Sequence, residues 1–302
     1  MENEAGKLPA EGAPLPHRPG VIVRRILYDN VKSRRSHTKP VVVPLLCQSQ
    51  DRPEFVLCVM FKAETLLMDA AVLEFSTLFS QIARVQDHVQ YDVLPVSKTS
   101  GLVYCVQGAR TLGSLQRDCL TLQNWVCEHN QYETVGNLKH RFVESSAFAT
   151  TSSLLLRYGD RHLDNLMLSK EGRLFHIDFT DHIMGHEPLG KYLFQNTFRV
   201  TQSMLDFMGG EQSRYYEHFK SRCVELYHTA RQWTALLSTT LYPLSFDGYM
   251  TQLQISNHLE SVFRPGNSTM EEARVEVSEK IKSSSSQKTI DTLADMWHNM
   301  FQ

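Results

Sequence analysis

Short β-branched and apolar runs open the chain. Val21-Ile22-Val23, Val41 to Leu46 and Phe55 to Phe61 have strand length, and polar connections at Lys32 to Lys39 and Gln48 to Glu54 separate them. Antiparallel strands are the simplest expectation. From Thr65 to Ile82 the period changes: Leu67, Ala71, Phe75, Leu78 and Ile82 recur every three or four residues, the spacing of one helix face. Val89 to Pro95 and Leu102 to Val106 return to strand. Beyond Leu112 helices dominate. Phe142 to Leu156 reads as a helix whose Ala and Ser permit close packing. Gln202 to Leu241 keeps the helical period through Met204, Leu205, Met208, Phe219, Cys223, Leu226 and Tyr227, with Gly209-Gly210 dividing it. Ser283 to Ser286 reads as a mobile loop. Thr289 to Gln302 reads as an amphipathic helix, with Ile290, Leu293, Ala294, Trp297 and Phe301 on one face.

These elements predict an α+β architecture: a small sheet-plus-helix lobe over 21–110 and a larger, mainly helical lobe over 111–302. Residues 1–20, rich in Pro, Gly and Glu, read as a disordered leader. Of the 302 residues 42% are hydrophobic and 21% charged, ordinary for a soluble globular protein with room for two cores. The net charge of -2 argues against nucleic acid as an electrostatic partner. The six cysteines form no Cys-x-x-Cys pair and read as reduced thiols. No apolar run reaches membrane-spanning length.

The chemistry concentrates in Asp160-Arg161-His162-x-x-Asn165, a polar knot between apolar runs, followed by Leu174-Phe175-His176-Ile177-Asp178-Phe179. Phosphoryl transfer needs an acceptor for the hydroxyl proton, which His162 or Asp160 supplies, and hard oxygen ligands for magnesium, which Asn165 and Asp178 supply. Any one of these residues alone is better read as part of a polar turn between helices. The whole string at this spacing favours chemistry.

Gly159 to Leu166 and Leu174 to Phe179 resemble the catalytic and metal-binding loops of phosphatidylinositol 3-kinases, with the greatest likeness to the class III enzymes that make phosphatidylinositol 3-phosphate. Met208 to Ser213, with Tyr215-Tyr216 and Phe219, resembles the helical segment that follows the activation loop in that class. The resemblance implies a bilobal protein-kinase-like fold with catalytic loop 159–165 and activation loop 178–200. It implies His162 as the base toward the inositol 3-hydroxyl, Asp160 polarising the loop and Arg161 bracing it, these three being the catalytic set. Asn165 and Asp178 become the metal ligands. Lys62 becomes the contact to ATP phosphates, oriented by Asp69. Ser36 falls in the phosphate-covering turn, and Tyr104 and Val106 fall at the hinge beside adenine. Lys191 and His182 become the headgroup contacts, and so few cations suit a headgroup with little phosphate. ATP and Mg2+, with Mn2+ as the substitute metal, are the implied cofactors. Phosphatidylinositol in a membrane surface and a regulatory protein subunit are the implied partners, with no nucleic acid. The implied location is cytoplasmic, peripheral on endosomal-type membranes, where helix 289–302 either dips into the bilayer or packs on the large lobe.

Two stretches depart from the family pattern. Glu64-Thr65-Leu66-Leu67-Met68-Asp69 stands where Asp-Asp-Leu-Arg-Gln-Asp is usual, and Thr180 stands where glycine follows the metal-binding Asp-Phe. Both favour a second reading, an impaired kinase fold serving as a scaffold or binding module. The retained Lys62, His162, Asn165 and Asp178 oppose it. A third reading, a related-superfamily protein kinase, suits Met208 to Ser213 less well.

Overall fold

The computed structural model describes residues 9, 11–33, 39–179, 184, 198–246, 248, 250–264 and 269–286. Two compact units divide the chain between Ala70 and Ala71, between Gln90 and Tyr91, and between Gln107 and Gly108. Sheet in the first and helices in the second give the α+β class.

The first unit is an antiparallel sheet. Its strands are β1 (Ala13–Leu15), β2 (Arg18–Ile26), β3 (Lys32–Ser33), β4 (Val41–Gln48), β5 (Phe55–Lys62), β6 (Val93–Ser97) and β7 (Ser100–Tyr104), in the order β1-β2-β4-β5-β7-β6 with β3 on β4. Strand alternation in β5 turns Leu57 and Val59 inward, where they meet Leu15, Val23, Cys47 and Tyr104 in one buried cluster. The same register carries Lys62, the last residue of β5, opposite Gly101 of β7.

The ordered sheet begins ahead of residue 21, against the expected leader. Leu15 is buried in the core, and the Tyr104 hydroxyl donates to the Pro16 carbonyl at 2.7 Å. Pro14 is tolerated because β1 is an edge strand. A three-residue run that contains Pro14 and is followed by Pro16 carries too little alternation to be read as strand.

The helices are α1 (Leu67–Ile82), α2 (Leu112–Arg117), α3 (Leu122–His129), α4 (Val135–Leu156), α5 (Gln202–Met208), α6 (Arg214–Gln232), α7 (Thr234–Leu237), α8 (Pro243–Phe246), α9 (Gln252–His258) and α10 (Met270–Ser286). One unit boundary runs through α1, and another, between Gln107 and Gly108, falls close to residue 110. From Ala71 the helix belongs to the second unit, where Phe75 meets Phe263 at 6.3 Å and Phe79 stacks on Phe148 at 5.2 Å.

Helix α4 is the axis of the second unit. From Phe142 to Leu156 it is buried nearly all round and packs on α6, as its small residues allow. Gly209 caps α5 in the left-handed conformation at φ 95°, so the Gly209-Gly210 break falls where the sequence puts it. Ser283 to Ser286 continue α10 rather than forming a loop. The Ser283 hydroxyl donates to the Lys280 carbonyl at 2.8 Å, a back-bond that makes serine tolerable inside a helix. A second small sheet, β8 (Arg110–Thr111), β9 (Leu166–Leu168) and β10 (Leu174–His176), is paired in the order β10-β9-β8. Among the described residues no helix is long and apolar enough to cross a membrane.

Candidate active site

Helix α4 ends with Arg157 in the left-handed conformation at φ 46°. The chain then runs through Tyr158 to His162 into a 3-10 turn, Leu163–Asn165, and directly into β9. The antiparallel pairing of β9 with β10 sets Leu166 opposite His176. It therefore brings Asn165 beside Ile177, whose N–H donates to the Asn165 carbonyl at 3.2 Å. Asp178 is the next residue. A two-strand hairpin thus joins two sequence motifs that are separated by a turn.

His162 caps the 3-10 turn: its Nδ1 accepts from the Asp164 N–H at 3.2 Å. With Nδ1 accepting, the neutral ring carries its proton on Nε2, which lies 3.8 Å from Asp160 Oδ2. Asn165 is buried, and its Nδ2 donates to the Asp160 carbonyl at 2.8 Å. That bond fixes the amide and leaves Oδ1 as its acceptor. Asp160 and Asp178 both adopt left-handed backbone, at φ 52° and 62°. Outside glycine this region costs about 1–2 kcal/mol per residue and is least costly for Asp and Asn, and such strain gathers at functional sites.

Arg161 is 3% exposed. Its guanidinium lies 5.2 Å from the Tyr158 ring and 5.4 Å from the Phe179 ring. It donates to the carbonyls of Gly159 at 2.6 Å, Ile177 at 2.8 Å and Asp178. The Arg199 guanidinium donates in turn to the Arg161 carbonyl. Arg161 therefore ties one loop to the other and is a positioning residue, outside the set of groups that would meet substrate. Beneath it, His176 Nδ1 lies 3.2 Å from the Tyr158 hydroxyl. Burial, helped by the Arg161 charge, pushes the His176 pKa well below its ordinary value, so this ring is neutral.

Asp164 has a role the sequence did not disclose. Both its oxygens accept from Arg117, each at 2.9 Å, and Oδ1 also accepts from the Thr111 hydroxyl at 2.7 Å. Thr111 is itself the cap of α2, accepting from the Ser114 N–H at 3.0 Å. Burial works to raise the Asp164 pKa, but the hydrogen bonds from Arg117 and Thr111 outweigh it and hold the carboxyl below its ordinary value. Arg117 and Asp164 are 47 residues apart, so no local spacing signals the pair.

Asn165 Oδ1 and the Asp178 carboxylate are hard oxygen donors, the set that Mg2+ takes. The residues present fit that ion.

In the first unit Lys62 is buried at 8% exposure, and its ammonium is ion-paired with Glu64. Glu64, one of the departing residues, is thus a partner of the candidate phosphate contact. Asp69 is buried in the first turn of α1. The Tyr104 side chain is 1% exposed within the sheet core and its hydroxyl is held by Pro16, which leaves its backbone for a ligand. Val106 is half-buried. Ser36, Thr180, His182, Lys191 and helix 289–302 lie outside the described residues.

Residues 120–252 match the family model described as phosphatidylinositol 3- and 4-kinase. The chain is 27% identical over 237 residues to the soybean (Glycine max) phosphatidylinositol 3-kinase, nodule isoform, covering 75% of this chain and 28% of that protein. It is 27% identical over 255 residues to phosphatidylinositol 3-kinase pik3 of Schizosaccharomyces pombe, covering 80% and 31%. It is 30% identical over 224 residues to phosphatidylinositol 3-kinase 2 of Dictyostelium discoideum, covering 69% and 12%. The matched region is thus less than a third of each relative's length. Residues 120–252, which contain both loops joined as described, are thus similar to the phosphatidylinositol 3- and 4-kinase family.

Proposed function

We propose that the chain is a phosphatidylinositol 3-kinase catalytic core, transferring the γ-phosphate of ATP to the 3-hydroxyl of phosphatidylinositol. The observation that carries this reading is the joining of His162, Asn165 and Asp178 through the β9–β10 hairpin and the Arg161 bridge. His162 takes the hydroxyl proton as its ring releases the Asp164 amide, and the Asp160 carboxylate stabilises the imidazolium that forms. Asn165 and Asp178 would hold Mg2+, which when bound neutralises charge on the transferring phosphate. Lys62 contacts phosphate as a point charge. Lys191 and His182 meet a headgroup that carries little phosphate, and the substrate lies in a membrane surface, with the protein peripheral on cytoplasmic, endosomal-type membranes. A regulatory subunit is the expected protein partner.

The ion pair between Lys62 and Glu64 favours the second reading, a binding module, because a lysine already neutralised attracts phosphate less. The deciding experiment offers Mg-ATP with phosphatidylinositol vesicles, with vesicles of phosphatidylinositol 4-phosphate, and with a generic peptide, and resolves the positional isomers. Phosphatidylinositol 3-phosphate as the main product supports the kinase reading. A 4-phosphate product, or transfer to peptide alone, overturns it.

A further inference from the structure

Away from the catalytic loops, α4 and α6 set two histidines and a glutamate against one another. His140 and Glu144 are four residues apart on one face of α4, and His218 comes from α6. One ligand atom from each lies within 4.8 Å of the others. His218 Nε2 is 2.9 Å from Glu144 Oε1, and the two imidazole rings lie 5.3 Å apart, tilted by 30°.

We propose that His140, Glu144 and His218 form a binding site for a divalent transition-metal ion, Zn2+ foremost, bridging α4 and α6. Two imidazole nitrogens and one carboxylate oxygen form the donor set of three-ligand zinc sites, with a fourth position open to water. The borderline imidazole donors disfavour Mg2+ and Ca2+, which take oxygen. Zinc at bonds of about 2.0–2.1 Å places its ligands roughly 3.3 Å apart. The Glu144–His218 pair already stands inside that distance, and all three ligand atoms lie within 4.8 Å of one another, so closure requires a further approach of the ligand atoms. His140 is exposed, which gives the ion a path in. Arg222 Nε donates to the other Glu144 oxygen at 3.0 Å. It orients the carboxylate as outer-shell partners of metal ligands do, while its charge moderates the affinity.

The site is independent of the kinase reading. It has a structural consequence all the same, because α4 runs straight into the loop that carries His162. A metal bridge would hold that helix against α6.

The test uses the full chain, stripped with chelator and free of nucleotide, titrated calorimetrically with Zn2+ alone. His140→Ala and His218→Ala are titrated beside it. One zinc per chain is expected, with affinity falling more than about tenfold in each variant. Zn2+ should raise the melting temperature of the parent and not of the variants, and Co2+ should give visible absorption that His140→Ala abolishes. Because His140 is exposed, its variant keeps the fold, which melting in chelator verifies. Equal zinc affinity in all three chains, or no stoichiometric binding by the parent, overturns the proposal.

Discussion

Arg117 holds Asp164 by both carboxylate oxygens, each at 2.9 Å, and so pins the candidate catalytic turn to the end of α2. Bidentate pairs fix geometry as well as adding energy. Arg117 is half-exposed and Asp164 mostly buried, so solvent screens part of the interaction. Arg117→Met should lower stability by about 1–2 kcal/mol and reduce kcat more than it raises the KM for ATP. Chemical denaturation beside steady-state kinetics would show whether the clamp serves the turn or only the fold; an unchanged kcat contradicts the first.

Gly113 permits this clamp. A Cβ added there would lie 2.6 Å from Asp164 Oδ1, closer than such contacts occur. Gly113→Ala improves helix propensity by up to about 1 kcal/mol, so propensity alone predicts stabilisation. The expected outcome is the reverse, a lower melting temperature with a drop in activity, read by thermal melts and initial rates.

The Lys62–Glu64 ion pair separates the two functional readings. Removing the carboxylate takes one negative partner from the ammonium. Glu64→Gln should tighten ATP binding several-fold in calorimetry, and Lys62→Met should weaken it at least about tenfold, since a buried charge contact is lost. A chain that binds no ATP in either form fits the scaffold reading.

His258 gives the fold an acid limit. Its Nε2 lies 2.7 Å from the Leu155 carbonyl in the last turn of α4. Burial, partly offset by that bond, lowers its pKa from 6.5 to about 4. The unfolded chain therefore binds a proton that the folded chain refuses between those values. Stability is undiminished by this group above pH 6.5 and falls as the pH drops toward 4, by about 3 kcal/mol in all. The buried, neutral His176 acts in the same direction. His258→Gln keeps a donor for Leu155 without the titration, so its urea midpoint should fall less steeply between pH 6.5 and 4.

What was legible in the sequence was local. A β-branched and apolar run marks β5, small residues mark α4, recurrence every three or four residues marks α1 and α6, and both catalytic motifs are contiguous strings. The three-residue strands β9 and β10 carry too little pattern to be read as strands, yet their pairing joins Asn165 to Ile177. The partners of Asp164 are equally hidden, since Arg117 and Thr111 become neighbours only through packing. The resemblance alone places Tyr104 at the hinge, through its backbone; that its ring turns into the sheet core and its hydroxyl reaches Pro16 was not legible. The bracing role of Arg161 comes from the resemblance alone; its donation to the carbonyls of Gly159 and Ile177 follows from packing that no local pattern signals.

The most direct test measures transfer of labelled γ-phosphate from Mg-ATP to phosphatidylinositol vesicles by the parent chain, His162→Ala and Asp178→Asn. A 3-phosphorylated product is expected from the parent, with rates at least about 100-fold lower from both variants. No product from a parent chain that still binds Mg-ATP, or a product that survives both substitutions, would contradict it.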